Sequence, residues 1–298
     1  MTTTTLLAGI WVVLVTPFAA DGELDQNSLR SEIQWILAQA ATGVVAFGLA
    51  SEAYTLTDTE RNTVLRVVAE ECEGKSPWIA GVEHTGTRVA ALRSAEAFEA
   101  GASALMAYPP YLVKPTDVGI IDYYRAIATR APIPIIIQDA EPWTRVPFSV
   151  PLIKQLAQGI PNVCGVKIET PPTGFKVSAV RAAVPEMVVL GGLGGLYAYD
   201  ELQRGAHGFL IGPTQTRDFV SLLSDWAAGK EEEVAARYTR LLPGMLTSMP
   251  TLDTYIQLQK EQLCRLNIIA DAQCRSPHQD LDEWQWRAAK RWLGITEH

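Results

Sequence analysis

Histidine and cysteine are both scarce in this chain, and what few there are stand apart. The four histidines (His84, His207, His278, His298) include no H-E-x-x-H or comparable spacing, which argues against a catalytic or structural zinc. The four cysteines (Cys72, Cys164, Cys264, Cys274) form neither a C-x-x-C pair nor a dense framework, so they read as reduced thiols of a cytoplasmic protein. Basic charge is also in deficit: 25 Lys and Arg face 33 Asp and Glu, a formal net charge of −8, which disfavours nucleic acid or an anionic membrane as partner. No apolar run reaches the roughly 18 residues of a membrane span. The opening Met-Thr-Thr-Thr-Thr-Leu-Leu lacks the basic region of an export signal. The glycine run Gly191-Gly-Leu-Gly-Gly195 is no G-x-G-x-x-G, because Tyr197 takes the last glycine's place, and no acidic residue is set to meet a ribose. Neither a metal nor an organic cofactor is expected.

What is present is a folding composition, 48% hydrophobic and 19% charged over 298 residues. Short apolar runs alternate with stretches of helical periodicity. The strand-like runs are Ile10–Val15, Val44–Phe47, Trp78–Val82, Ala104–Ala107, Ile133–Ile137, the stretch 162–169, Met187–Leu190 and Gly208–Ile211. Helical spacing follows each, and Thr57 with Glu60 predicts a capping box at the start of one helix. Eight such pairs in about 225 residues predict a (β/α)8 TIM barrel over residues 1–226, with an open α/β sheet of the same element order as the alternative. Residues 227–298 contain no convincing strand, and their apolar positions predict a C-terminal helical domain.

In a barrel of this kind the reacting groups come from strand ends and the loops after them. Those positions hold a single lysine, at the end of Asn162-Val-Cys-Gly-Val-Lys167-Ile-Glu169. Lysine is seldom buried unless its surroundings use it, and burial favours the neutral amine, a nucleophile toward carbonyls. Glu169 falls two residues on, on the same face if the strand continues. The plain alternative is a strand-end lysine reaching solvent and paired with the glutamate. Glu83-His84 ends the third strand, where His84 either contacts a substrate or serves as a hydrogen-bonded rim residue. Asp139 reads equally as a ligand contact or a cap, and Glu231-Glu232-Glu233 as a solvated helix start favoured by the dipole.

The chain resembles the dihydrodipicolinate synthase / N-acetylneuraminate lyase superfamily over essentially its whole length. The resemblance rests on Leu14-Val-Thr-Pro-Phe18 with Asp21-Gly22, and on Gly48…Glu52 with Leu56-Thr57. It rests also on Tyr108-Pro-Pro-Tyr111 with Lys114-Pro115, on Gly165-Val-Lys167, and on the glycine turn at 191–195. It implies a Schiff base between Lys167 and the keto group of a small-molecule 2-oxo acid, and a homotetramer built from dimers. On this resemblance the glycine turn, Gly192 included, allows close backbone approach to the keto acid, and Tyr111 matches a family tyrosine, although aromatics beside Pro-Pro also pack loops.

Several positions depart from the family pattern. Gly48-Leu49-Ala50-Ser51-Glu52 replaces Gly-Thr-Thr-Gly-Glu, so substrate carboxylate binding passes to backbone N–H groups of the 49–52 turn and the Ser51 hydroxyl. Gln138 stands where the family places a proton-relaying tyrosine, and an amide exchanges no protons near neutral pH. The arginine usual in the synthases has no aligned match, since Arg145 is out of step and Trp143 is nearer the slot; their second tyrosine is Leu112 here. Without the tyrosine, retro-aldol cleavage loses its usual base, while Glu169 is placed to act at C3. The expected reaction is therefore dehydration of a 2-keto-3-deoxy sugar acid. The pattern is most similar to the 2-keto-3-deoxyarabonate dehydratases, which yield 2-oxoglutarate semialdehyde. A pyruvate-dependent aldolase and a non-catalytic keto-acid-binding barrel are the alternatives.

Overall fold

Short Val-, Ile- and Leu-rich runs satisfy their backbone polar groups by pairing, and bury both faces when helices cover them. That is how the chain folds in its computed structural model, which describes residues 6–295. Most of the segment on which the export-signal reading rests (1–5) and His298 lie outside the described residues. Among the described residues there are eight strands: β1 (Gly9–Val13), β2 (Gly43–Ala46), β3 (Trp78–Gly81), β4 (Ala104–Ala107), β5 (Ile135–Asp139), β6 (Val163–Ile168), β7 (Val188–Gly191) and β8 (Gly208–Ile211). They follow one another in that order around a closed barrel. Between them run α1 (Gln26–Leu37), α2 (Asp58–Cys72), α3 (Thr87–Glu99), α4 (Asp117–Arg130), the single turn α5 (Glu141–Thr144), α6 (Val150–Gly159), α7 (Thr173–Ala183) and α8 (Ala198–Gln203). After β8 come α9 (Thr216–Ala227) and the C-terminal helices α10 (Glu231–Ser248), α11 (Leu252–Arg265) and α12 (Glu283–Leu293). The capping box forms as the spacing predicts: Thr57 accepts the Glu60 N–H while the Glu60 carboxylate accepts the Thr57 N–H at 2.9 Å. The three glutamates at 231–233 occupy the exposed first turn of α10.

The chain packs as two compact units. The first takes in Pro77–Gly192, Tyr197–Leu210 and the segment up to Gly9. Its strands are fully apolar where they cross the centre, with Ala104, Leu105, Met106 and Ala107 of β4 sealed from solvent. The largest departure is in β5, expected at Ile133–Ile137: it begins at Ile135 and continues through two polar residues, Gln138 and Asp139. They remain in the ladder because each has a partner in register, Gln138 opposite Lys167 and Asp139 opposite Ile168. Lower on the same ladder the pairs step from Ile135↔Val163 to Ile136↔Gly165, so Cys164 is one extra residue with no opposite number on β5. That is a β-bulge, and it resets which residues of β6 share a face with those of β5.

The second unit takes in Ile10–Ser76, Leu193–Leu196 and the chain from Ile211 on. Its buried ionisable groups are the part that composition alone does not show. Glu32 of α1 is wholly buried; its Oε1 accepts the Val15 N–H at 2.9 Å and its Oε2 has no hydrogen-bond partner. Burial pushes this carboxyl up to about 8, opposed by the Val15 hydrogen bond and by the charge of Lys260. A carboxyl whose folded pKa is raised holds more protons folded than unfolded, so its contribution is full below its unfolded pKa and is lost as pH rises to about 8. Thermal unfolding followed from pH 5 to pH 9 is expected to show a falling Tm over this window. In Glu32→Gln, whose amide oxygen can still accept the Val15 N–H, that part of the fall should be absent. Identical pH profiles for the two proteins would refute the assignment.

Candidate active site

Lys167 is the fifth residue of β6 and is 5% exposed. A primary amine so enclosed needs a partner, and it has one: Nζ lies 2.8 Å from Oε1 of Glu169, itself 4% exposed. The second oxygen of that carboxylate, Oε2, accepts a hydrogen bond of 2.7 Å from Nε2 of Gln138 on β5. The carboxylate fixes the orientation of the amide, because only the NH2 end can donate to it. The other end of the amide, Oε1, is buried with no hydrogen-bond partner. Lys167, Glu169 and Gln138 thus form one row at the C-terminal ends of two neighbouring strands, with the lysine and the amide set side by side by the ladder.

Room for the carboxylate comes from Gly192, the first residue after β7. A Cβ there would sit 2.8 Å from Glu169 Cδ, so any larger residue would displace the carboxylate from the lysine. The glycine run serves packing as well. Gly191 gives way to Phe209 and to the carboxyl of Glu201, and Gly195, at φ +78°, to the ring of Phe219. Glu201, on α8, is 1% exposed, and burial pushes its carboxyl up to about 7, with Asp200 and Glu169 adding to the rise. No sequence signal distinguished Gly192 from its neighbours; the reason for it is a side chain from another strand.

Asp139 follows Gln138, and its side chain turns to the other face. There Oδ2 pairs with Nζ of Lys176 on α7 at 2.7 Å, and Oδ1 accepts from the Thr170 hydroxyl at 2.9 Å. Asp139 is therefore no helix cap, since the N-cap of α5 is Ala140. His84 forms a turn: its Nδ1 accepts the Gly86 N–H at 2.9 Å and its own N–H donates to the Tyr123 hydroxyl at 3.2 Å. Tyr111 is 40% exposed, with its ring 5.9 Å from that of Tyr108 in a tilted pair. The Tyr108 phenol is itself largely enclosed, and burial raises it well beyond the usual tyrosine range.

The turn after β2 is built within the second unit. The Ser51 hydroxyl donates to the Leu14 carbonyl, and the Ser51 carbonyl accepts from the Thr16 hydroxyl. Glu52 adopts the left-handed conformation at φ 51°. Its carboxylate pairs with the fully buried Lys260 of α11 and accepts the Arg275 N–H at 2.9 Å. Lys260 in turn donates to the Gln273 carbonyl at 2.7 Å and sits 4.4 Å from the centre of the Phe18 ring. What Glu52 contributes directly is the shape of the turn, since both its oxygens are engaged by protein groups. The signal for this in the sequence is slight: a lysine within an otherwise amphipathic helix.

Among the described residues no three His, Cys, Asp or Glu side chains gather into a cluster that would hold a metal ion. No helix among them is long and apolar enough to cross a membrane.

A closed barrel of eight parallel strands with helices between them, continued by helices after β8, is a TIM barrel with a C-terminal helical extension. The chain belongs to the dihydrodipicolinate synthetase family, whose profile matches residues 6–294. Among curated relatives it is 30% identical, over 285 residues, to the L-2-keto-3-deoxyarabonate dehydratase of Azospirillum brasilense, covering 92% of this chain and 89% of that protein. It is 35% identical over 178 residues to the 4-hydroxy-tetrahydrodipicolinate synthase of Maridesulfovibrio salexigens, 60% of each chain. In architecture it is similar to the 4-hydroxy-tetrahydrodipicolinate synthase of Methylacidiphilum fumariolicum SolV, with a TM-score of 0.91 and 24% identity, covering 97% of this chain and 95% of that one.

Proposed function

We propose that the protein is a Schiff-base lyase that dehydrates a 2-keto-3-deoxy sugar acid, with 2-keto-3-deoxyarabonate as substrate and 2-oxoglutarate semialdehyde as product. The observation that carries the reading is the buried row Lys167–Glu169–Gln138. The lysine amine adds to the C2 carbonyl and expels water, leaving an iminium that acidifies the C3 protons. Glu169, whose carboxylate lies against Nζ, takes one of them to give an enamine. The enamine electrons then form C3=C4 as the C4 hydroxyl departs, and the proton that Glu169 has just received leaves with it as water. Tautomerisation of the remaining C5 hydroxymethyl group and hydrolysis of the iminium give the semialdehyde and free Lys167, one water lost overall.

Gln138 decides between this exit and carbon–carbon cleavage. Cleavage requires removal of the C4 hydroxyl proton, which an amide cannot take. The unpartnered Oε1 of Gln138 can accept a hydrogen bond from a substrate hydroxyl and hold it while the proton stays on oxygen. Similarity to the Azospirillum dehydratase over most of both chains supports the same choice. Holding the substrate carboxylate, the role expected for Ser51 and its neighbours, belongs to this proposal too. Because the Ser51 hydroxyl proton is given to Leu14, that task falls to backbone N–H groups of the turn. Tyr111 and His84 are proposed as substrate contacts, and the working assembly as a cytoplasmic homotetramer.

Product analysis tests the reading. Wild-type protein given a 2-keto-3-deoxypentonate is expected to release semialdehyde with little pyruvate, and Gln138→Tyr to raise the pyruvate fraction. Pyruvate and a two-carbon aldehyde as the main products of the wild type would replace dehydration with aldol cleavage.

A further inference from the structure

Glu169 lies one residue beyond β6, at the last backbone hydrogen bonds of the strand ladder. Its carboxylate must nevertheless stay within a few tenths of an ångström of the lysine to serve as its base. Two backbone hydrogen bonds and two side-chain contacts of Asp139 surround this turn. The Glu169 N–H donates to the Asp139 carbonyl at 3.1 Å, and the Gly192 N–H to the Ile168 carbonyl at 3.1 Å. The Thr170 hydroxyl donates to Asp139 Oδ1 at 2.9 Å, and Lys176 Nζ pairs with Oδ2 at 2.7 Å. Asp139 is therefore in contact with both residues after Ile168 while its side chain points away from Lys167.

We infer that the Asp139–Lys176 pair, acting with the Thr170 hydroxyl, is a positioning device that sets Glu169 against Lys167. This rests on the reading of Glu169 as the base at C3. A carboxylate as fully buried as Asp139 is costly unless a cation meets it. Burial raises the Asp139 carboxyl, the nearby Glu169 adds to the rise, and Lys176 opposes both. The cost is sustained at the position where β5 ends beside the Glu169 turn. Gln138 then orients the carboxylate itself from the other face of β5. The same short stretch thus grips Glu169 twice, by its backbone through Asp139 and by its side chain through Gln138.

A positioning role separates from simple structural support through two readouts on pyruvate. Reduction with borohydride reports imine formation at Lys167, and exchange of the C3 protons with deuterated water reports proton removal by Glu169. Lys176→Met is expected to form the reduced adduct as the wild type does, yet to exchange roughly 10- to 100-fold more slowly, the scale of loss when a catalytic group is displaced by about an ångström. Lys176→Arg, which restores the cation, should recover most of the exchange. Wild-type exchange in Lys176→Met would overturn the proposal, as would a loss of adduct and exchange in equal measure. Should Lys176→Met fail to fold, Thr170→Val tests the same clamp, with slowed exchange and intact adduct expected and unchanged exchange overturning it. If the wild type itself forms no adduct at Lys167, the Schiff-base reading fails, a result distinct from all of these.

Discussion

Lys167→Ala is expected to form no reduced adduct with pyruvate and borohydride and to lose essentially all turnover. In the wild type the added mass should fall on the peptide that carries Lys167. The expectation follows from the chemistry: without an amine at the end of β6 no iminium forms, and without an iminium the C3 protons of a 2-oxo acid keep their ordinary weak acidity. The substitution also leaves the buried Glu169 without its cation, which at other buried pairs costs about 3–5 kcal/mol of stability. Retained helical and strand signal by circular dichroism is therefore part of the measurement. Adduct on another lysine, or unlabelled wild-type protein during turnover, would end the Schiff-base mechanism.

Glu169→Gln should lower turnover by about 10²–10⁴-fold, or about 3–5 kcal/mol of barrier, the usual worth of a positioned general base. The variant is built to be tolerated. If Gln138 rotates its amide by half a turn, its now unpartnered Oε1 accepts from the new NH2 group, and the row at the strand ends remains hydrogen-bonded. Imine formation should survive while C3 exchange in deuterated water slows with turnover. Wild-type rates for both would make Glu169 no more than the structural counter-ion of Lys167.

Much of this was legible in the sequence, because it depends on local pattern. Apolar runs of four to six residues with helical spacing between them identify the barrel, and Val-Lys-Ile-Glu places a lysine and a carboxylate two residues apart on one strand end. Gln138 stood out in the sequence only through the family resemblance. What sequence reasoning missed depends on residues distant in the chain. The polar pair Gln138-Asp139 reads as a loop until register sets it opposite Lys167 and Ile168. Lys176 belongs to a helix face that would normally be solvated, and only the fold brings it to Asp139. Lys260 and Glu52 lie far apart in the chain of the second unit, and nothing in the 48–52 stretch marks its glutamate as engaged by a buried lysine. Glu32 and Glu201 carry no sequence mark at all: an acidic residue in an amphipathic helix looks the same whether its face is wet or dry.

The extra residue at Cys164 has a consequence for how the chemistry can vary in such a barrel. Side chains on a strand alternate between two sides, so one extra residue below Gly165 changes which residues of β6 above it share a face with those of β5. The lower part of β6 keeps the phase that packing requires, and the upper part takes the phase that sets the amine beside the amide of Gln138. The bulge works as a phase shifter between a foundation and a workbench. Above it packing and chemistry alternate along the strand: Val166 and Ile168 are sealed in the core, and Lys167 between them carries the amine.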